Sequence, residues 1–268
     1  MTAKYVVGID LGTTNSVLAY ASLEEDSPRL ELLPVPQLVS PGTVESRASL
    51  PSFVYMATAQ ESEGNSLKLP WGKKPRYAVG QYARTQAAEA PDRTVAAAKS
   101  WLCHSHVDRR AAILPWDAPK KTDKVSPVTA SQRYLEHLAG AWKASFPKDP
   151  LSQQHVVVTV PASFDAVARE LTREAAMQAG LPDDLVFIEE PQAALYSWLA
   201  DVGDGWRKNL KVDSQILVVD VGGGTSDLTL IRVAEEKGNL VLERVAVGDH
   251  LLVGGDNMDL ALAHHVAG

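Results

Sequence analysis

Two short segments, far apart in the chain, combine residue types that suit phosphate binding. Asp10-Leu11-Gly12-Thr13-Thr14-Asn15 and Asp220-Val221-Gly222-Gly223-Gly224-Thr225 each place an Asp directly before a turn of Gly and Thr. Gly lets backbone N–H groups approach an anion closely, and Thr hydroxyls add donors. Because a carboxylate alone repels phosphate, its position here indicates a divalent cation such as Mg²⁺ between the two groups.

The two segments belong to an internal repeat with an offset of 210 residues. Val6–Leu18 is echoed by Ile216–Leu228, each being an apolar strand that ends in Asp, a tight turn and a second strand. Either copy alone is better explained as an ordinary hairpin, because Asp, Gly, Thr and Asn are common turn residues. Two matching copies favour a pair of loops that clamp one polyphosphate.

The composition is that of a soluble globular protein. The 268 residues are 45% hydrophobic and 22% charged, and the net charge is −7 with scattered basic residues. This distribution predicts neither nucleic acid nor an anionic membrane as the main partner. Cys103 is the single cysteine, so an internal disulfide is excluded and a cytoplasmic location is expected. No apolar run is long enough for a signal peptide or a membrane span.

Hydrophobic periodicity predicts an α/β fold. Strands are expected at 5–9, 16–20, 155–160, 185–188, 216–219 and 228–233. Helices are expected from a capping box at Thr129–Gln132 to Phe146, and from near Ser163 to Gly180. The order strand, helix, strand between His155 and Ile188 is typical of a parallel crossover unit. The polar stretch 60–75 is predicted to be a surface loop.

Other site motifs are weak or missing. No Gly-x-x-x-x-Gly-Lys-Ser/Thr run surrounds Gly72-Lys73-Lys74, and no serine-nucleophile or His-Glu-x-x-His motif is present. Cys103-His104-Ser105-His106 holds three metal-ligating residues, but it lacks the distant ligand pair of a structural zinc site. We therefore expect no zinc centre.

Both turns resemble the phosphate loops of the superfamily of actin, sugar kinases and heat shock proteins, whose two lobes close over ATP. The run Gly8–Ser16 is similar to the opening of heat shock protein 70 chaperones. Further segments resemble motifs of that family in the same order, over nearly the whole chain: Val79–Gln86, Ala98–Leu102 with Lys99, Val158–Phe164 followed by Arg169, Glu189–Ala194 and Gly254–Asp259.

The resemblance implies roles for particular residues. Asp10 and Asp220 would hold Mg²⁺ mainly through its waters, and Lys99 would contact the γ-phosphate and the attacking water. Either Glu190 or Asp227 would orient that water. The phosphates of ATP or ADP would be cradled by Gly12, Thr13, Thr14 and Asn15 of the first turn and by Gly222, Gly223, Gly224 and Thr225 of the second.

Pro161 and Arg169 would relay the nucleotide state to another domain. From the residues alone, simpler interpretations stay open. Lys99 also fits a solvated helix face, and Glu190 fits a favourable charge at a helix N-terminus. Pro161 would then merely end a strand, and Arg169 would be an exposed helix residue.

Four positions depart from the family pattern. Ser226 stands where the family has Phe, Ser163 where it has Tyr, Glu189 where it has Asn, and Gln192 where it has Thr. The phosphate loops are retained, so the chain resembles a divergent member of the family, in which the timing of hydrolysis and the coupling to substrate stay open.

The resemblance further implies an actin-like ATPase (ribonuclease H-like) fold with two lobes. Residues 1–212 would form lobe I, with its core at 1–50 and 127–212 and a smaller subdomain at 51–126. Residues 213–268 would begin lobe II. Because Gly268 lies in what reads as an unfinished amphipathic helix, we expect a truncated chain that exposes apolar surface and self-associates.

The expected function is that of an ATP-hydrolysing chaperone switch in protein folding and the stress response. Its unfolded polypeptide clients would bind a domain beyond Gly268, and a J-domain protein and a nucleotide exchange factor would be its cochaperones. The fragment alone is expected to be inactive. The alternatives are a small-molecule kinase, acting on a sugar or an acid, and an actin-like filament protein. Lys99, the Thr-Val-Pro-Ala run and the Glu-Pro pair favour the chaperone.

Overall fold

The computed structural model describes residues 2–72, 76–104, 106–206, 210–237, 239–248, 251 and 253–267. The chain divides into two compact units, one of Met1–Val158 with Asp165–Val186 and one of Thr159–Phe164 with Phe187–Gly268. Each unit contains both strands and helices, which confirms the α/β class.

Most strands are short. Those of the described chain are β1 (Tyr5–Leu11), β2 (Asn15–Ser22), β3 (Glu31–Leu32), β4 (Val35–Ser40), β5 (Thr43–Arg47), β6 (Leu50–Pro51), β7 (Val54–Met56), β8 (Tyr77–Val79), β9 (Thr94–Val95), β10 (His155–Val160), β11 (Val186–Glu189), β12 (Gln215–Val221), β13 (Ser226–Glu236) and β14 (Asn239–Val247).

The helices vary more in length. They are α1 (Ala59–Glu63), α2 (Gln81–Glu89), α3 (Ala98–Leu102), α4 (Pro127–Ser145), α5 (Ala166–Gln178), α6 (Glu190–Val202) and α7 (Gly255–Ala267), with single 3₁₀ turns at Pro91–Arg93, Leu151–Gln153 and Gly203–Gly205. Over the residues that the structure describes, no helix has the length and apolar character that crossing a bilayer requires.

The largest sheet is built around the β1–β2 hairpin. Its strand order is β11-β10-β1-β2-β3, and β6 also pairs with β2. Along β1, buried Val7, Ile9 and Leu11 alternate with more exposed neighbours, as expected for a strand with one face on the core. The strands predicted at 5–9, 16–20, 155–160 and 185–188 are confirmed, and the first two extend to Leu11 and Ser22.

Helix α4 begins earlier than the sequence predicts. The expected capping box at Thr129 is wrong, because the Oγ of Ser126 accepts the hydrogen bond from the Thr129 backbone N at 3.0 Å. Pro127 fills the first helical position, where its missing N–H costs nothing. Near its end, α4 buries Trp142, whose ring stacks on Phe146 at 4.3 Å between centroids. Leu135 and Leu138 are also buried.

The stretch 60–75 is not the plain loop that its polarity predicts. Residues 59–63 form α1, which the side chains of Thr58 and Glu61 cap reciprocally. Leu67 is buried in a cluster with Leu38 and Tyr55, so the chain returns to the core after the helix. The prediction is wrong for residues 60–63, because it relied on polar composition and overlooked a local cap. Residues 64–72 contain neither helix nor strand, as predicted. Residues 73–75 lie outside the described residues.

The second unit contains the antiparallel sheet β12-β13-β14. The strands predicted at 216–219 and 228–233 are confirmed and extend to 215–221 and 226–236. Leu217, Val219 and Val221 point to one face of β12, and each is more than half exposed. Helix α7 likewise buries none of its described side chains.

Candidate functional site

The first turn joins β1 to β2 in a hairpin whose last pair is Leu11 with Ser16. A Cβ on Gly12 would lie 2.1 Å from the carbonyl oxygen of Asn15, so this position accepts only glycine without moving the turn. The Oγ1 of Thr14 is buried and has no hydrogen-bond partner among the described residues. Because a buried hydroxyl without a partner is costly, this atom suits a ligand oxygen.

Ser52 braces the first turn from another segment. Its Oγ donates to the Gly12 carbonyl oxygen at 2.8 Å, and its backbone N donates to the Thr14 carbonyl oxygen at 2.8 Å. The hydroxyls of Ser52 and Ser16 lie 3.0 Å apart. Sequence reasoning missed Ser52, because nothing in its local sequence shows which distant backbone it contacts.

The second turn repeats the first at the level of backbone pairing. Asp220 pairs with Asp227 as Asp10 pairs with Val17, an offset of 210 residues on both strands. All seven pairs of the β1–β2 hairpin have a counterpart at this offset in β12–β13. The turn is closed by a 2.8 Å hydrogen bond from the Gly222 backbone N to the Thr225 carbonyl oxygen. The repeat seen in the sequence is therefore a repeat of structure.

The segment before α7 packs directly on the second turn. The backbone N atoms of Gly255 and Asp256 donate to the carbonyl oxygens of Gly222 and Gly223 at 3.0 and 2.8 Å. A Cβ on Gly254 would lie 2.5 Å from the Gly222 oxygen and 2.6 Å from that of Gly223. This close approach explains why glycine stands at position 254.

Ser226 has a clear structural role, although it departs from the family pattern. Its Oγ donates to the carbonyl oxygen of Val253 at 2.7 Å. Its backbone N donates to the carbonyl oxygen of Leu251 at 2.9 Å. The serine thus ties the second turn to the segment that leads into α7.

The acidic residues flank the turns as the sequence suggests. Asp10 ends the apolar part of β1 in the first unit and is exposed. In the second unit Asp220 is half-buried, and its pairing partner Asp227 is buried. Two carboxylates therefore stand opposite each other next to the second turn, and one stands next to the first.

Lys99 lies on the short helix α3 and is buried, with 7% of its surface exposed. This excludes the interpretation as a solvated helix face. The helix follows Ala97, whose φ of 52° lies in the left-handed region. That conformation costs a non-glycine residue about 1 kcal/mol, and such strain is concentrated near functional sites.

Glu190 is the first residue of α6, directly after β11. The departures at 189 and 192 act together here, because the Glu189 backbone N donates to the Gln192 Oε1 at 3.2 Å and completes a capping box. Glu189 is buried and pairs with Arg244 of β14. Glu190 thus sits on a helix end that is fixed by its neighbour, and a charge at a helix N-terminus is also favourable.

The two coupling candidates lie close together in the sequence, Pro161 directly after β10 and Arg169 on α5. Pro161 is buried directly after β10, Ser163 is half-buried in the following turn, and Arg169 is half-buried on α5. Asp165 caps α5 through a 2.6 Å hydrogen bond from the Ala168 backbone N. Arg169 is therefore one turn into a well-capped helix and is not fully exposed.

The Cys103–His106 segment follows α3. Cys103 is half-buried, and the rings of His104 and His106 lie 6.0 Å apart between centroids. Ser105 is outside the described residues. Among those that are described, no group of three or more His, Cys, Asp or Glu side chains could hold a metal ion.

Each turn, taken by itself, has residue types that suit a phosphate group and Mg²⁺. The first offers a close backbone approach at Gly12 and the buried hydroxyl of Thr14. Each turn also has an adjacent carboxylate. Mg²⁺ commonly uses one or two carboxylates together with waters and phosphate oxygens, so a larger cluster of protein ligands is not required.

Comparison with known proteins gives one consistent result. The family model described as Hsp70 protein matches residues 68–268. The chain is 32% identical to the chaperone protein HscA of Enterobacter sp. (strain 638) over 275 residues, which are 98% of this chain and 38% of the relative. It is 31% identical to the HscA homolog of Actinobacillus pleuropneumoniae serotype 5b (strain L20) over 278 residues, again 98% of this chain and 38% of the relative.

A similar match covers 97% of the chain and 36% of the HscA homolog of Bordetella petrii, at 32% identity over 270 residues. The chain thus spans less than two fifths of the length of these relatives. With a family model over most of its residues and relatives above 30% identity along almost its whole length, the chain belongs to the Hsp70 protein family.

Proposed function

We propose that this chain is the first part of the ATPase domain of an Hsp70-type chaperone, which couples ATP hydrolysis to the binding of unfolded polypeptides. The observation that carries the proposal is the pair of hairpins in one register, each with an Asp before a glycine-containing turn. Relatives named as chaperones support it. They do not favour a small-molecule kinase.

In the proposed site the turns hold the phosphates. Gly12–Asn15 and Gly222–Thr225 would supply backbone N–H groups and hydroxyls, and Asp10 and Asp220 would be the residues that hold Mg²⁺. The ion neutralises phosphate charge when it is bound. Lys99 contacts the γ-phosphate and the attacking water.

The water is oriented by Glu190 or Asp227. Catalysis would then rest on positioning and charge stabilisation, without a covalent intermediate.

The proposed architecture is the two-lobed actin-like fold. Lobe I would comprise 1–50 and 127–212 with the smaller subdomain 51–126, and lobe II would begin near residue 213. In this proposal the adenine and ribose contacts come from residues that follow position 268 in longer relatives. The shares of 38% and 36% of the relatives' length are consistent with it.

The proposed partners follow from the family. Clients would bind a separate peptide-binding domain, with a J-domain protein and a nucleotide exchange factor as cochaperones in the cytoplasm. Pro161 and Arg169 would pass the nucleotide state to that domain. Apolar side chains exposed on β12 and α7, such as Leu217 and Leu262, support self-association of the chain on its own.

A matched pair of glycine variants tests the phosphate site. Gly12→Ala places a Cβ 2.1 Å from the Asn15 carbonyl oxygen. A Cβ on Gly8, in the preceding strand β1, would meet no other atom within 4 Å. We expect Gly12→Ala to weaken binding of Mg-ATP about tenfold or more, or about 1.4 kcal/mol, and Gly8→Ala to leave it unchanged. The measurement is ³¹P NMR line broadening of ATP at increasing protein concentration. Equal broadening by both variants and the parent chain would exclude this turn from phosphate binding.

A further inference from the structure

A cavity of about 420 Å³ lies in the first unit, apart from the two turns. Its walls come from three stretches of the chain: the 3₁₀ turn at Pro91–Arg93 with the residues up to Ala96, helix α3 through Trp101, and the loop Leu114–Ala118. Thr94, Val95, Leu114 and Pro115 are buried and form a fixed base, whereas Trp116 is half-exposed.

Two indole rings dominate the lining. Trp101 and Trp116 stack with 4.7 Å between centroids and an interplanar angle of 27°. Trp101 also stacks with the ring of His104 at 5.3 Å. Trp116 is 51% exposed. Burial of an aromatic side chain of this size contributes strongly to the free energy of folding or binding. The stack therefore offers a preformed aromatic wall to a ligand.

The charges of the cavity are of one sign. Asp92 and Asp117 line it, both are exposed, and the lining residues include no Lys or Arg. Within the described parts of the chain, neither carboxylate forms a hydrogen bond or an ion pair. Two nearby cations point to other partners: Arg93 donates to the carbonyl oxygens of Met56 and Ala57, and the Lys124 Nζ donates to that of Trp116.

An aromatic wall beside unpaired carboxylates is complementary to a flat cation. A guanidinium stacks on indole faces and donates bidentate hydrogen bonds to carboxylates, whereas an ammonium is more strongly hydrated and does not stack. We propose that this cavity binds an arginine side chain presented by a peptide segment of a partner protein. The proposal does not depend on nucleotide binding. The occupant would, however, touch the helix that carries Lys99.

The test uses three blocked tripeptides, Ac-Ala-Arg-Ala-NH₂ and its analogues with Lys or with citrulline, the neutral isostere of Arg. Each is titrated into the ¹⁵N-labelled chain while the indole N–H resonances of Trp101 and Trp116 are followed by NMR. We expect the arginine peptide to shift both resonances and to bind at least about threefold more tightly than the lysine peptide, with the citrulline peptide weakest. Equal affinity for the arginine peptide and either analogue would overturn the proposal.

Variants locate the binding. Trp116→Leu and Asp117→Asn should each weaken binding of the arginine peptide about three- to tenfold. Asp123→Asn, which changes an exposed acid outside the lining, should leave the affinity unchanged. If Trp116→Leu fails to fold, Asp117→Asn decides the question, because it removes the charge of an exposed side chain while keeping its size. Unchanged affinity in Asp117→Asn would contradict the proposal.

Discussion

Two glycines at the turns, Gly12 in the first and Gly254 packed on the second, leave no room for a side chain. In both cases a Cβ would lie within 2.6 Å of a carbonyl oxygen of a turn. Residue types predict the turns, since Asp, Gly and Thr are typical of them. They do not show which glycine is irreplaceable, and they give no sign of Ser52, because those facts depend on backbone atoms brought together from distant parts of the chain.

Asp10 and Lys99 are expected to matter for chemistry more than for folding. In a protein that joins this chain to the remaining length of its relatives, Asp10→Ala or Lys99→Ala should lower kcat for ATP hydrolysis about 10²-fold or more. Loss of one preorganised charge contact in such sites typically costs about 2.7–4 kcal/mol. The measurement is steady-state ATP turnover, with circular dichroism to verify folding.

Matched controls for these two variants are Asp26→Ala and Lys68→Ala, which change exposed residues of the same types away from the turns. Both should retain turnover. If Asp10→Ala and Lys99→Ala also turned over ATP at the parent rate, neither residue would belong to the mechanism.

At the scale of elements, hydrophobic periodicity predicts β1, β2, β10 to β13, α4 and α5, but it gives no prediction for β14 or α6. Local caps account for the error at the start of α4 and for the missed α1. Helix α4 begins at Pro127 because Ser126 caps it. The N-terminus of α6 is capped by Glu189 and Gln192, two positions that depart from the family motif. A pattern of types does not reveal which of several neighbouring polar side chains makes the capping hydrogen bond.

Asp165 should stabilise α5 in two ways that mutation can separate. Its carboxylate caps the helix through the Ala168 N–H and pairs with both Nη atoms of Arg109 at 3.0–3.1 Å. We expect Asp165→Ala to lower the free energy of unfolding by about 1–2 kcal/mol at pH 7, the sum of a cap and a partly exposed ion pair. Asp165→Asn keeps an oxygen that can cap the helix, so it should lower the free energy of unfolding by less. The measurement is urea denaturation, with Asp184→Ala, an exposed acid, as the control.

The effect should depend on pH in a defined direction. The hydrogen bonds from Arg109, with that from the Ala168 N–H, lower the pKa of Asp165 below its ordinary value of 3.8. A carboxyl group whose pKa is lower in the folded state than in the unfolded state stabilises the folded state. This stabilisation is complete above the unfolded-state pKa and is lost as the pH falls through the folded-state pKa. The difference in the free energy of unfolding between the parent chain and Asp165→Asn should therefore be constant from pH 7 to about pH 5 and should shrink below about pH 4. A difference that grows on acidification would contradict the ion pair.

At the scale of the whole molecule, the repeat at an offset of 210 residues was the most informative feature of the sequence, and the hairpin registers confirm it. Apolar and polar patterning could not predict where the chain divides into compact units, because that depends on contacts between distant segments such as those that place Thr159–Phe164 with Phe187–Gly268. The proposed lobe boundaries rest on the family resemblance and stay a prediction.

The whole chain should bind Mg-ATP weakly and hydrolyse it at no useful rate. If the adenine and ribose contacts belong to residues after position 268, only phosphate contacts remain, and these compete with strong hydration. We expect a Kd of about 1 mM or weaker, for which 1 mM ligand stabilises the folded state by about 0.4 kcal/mol. For a chain of this size, Tm would then rise by about 1–2 °C at most. Thermal melting with and without Mg-ATP, together with calorimetry, measures both quantities. A micromolar Kd or a shift of many degrees would show that the 268 residues contain a complete nucleotide site, and that the adenine contacts lie within them.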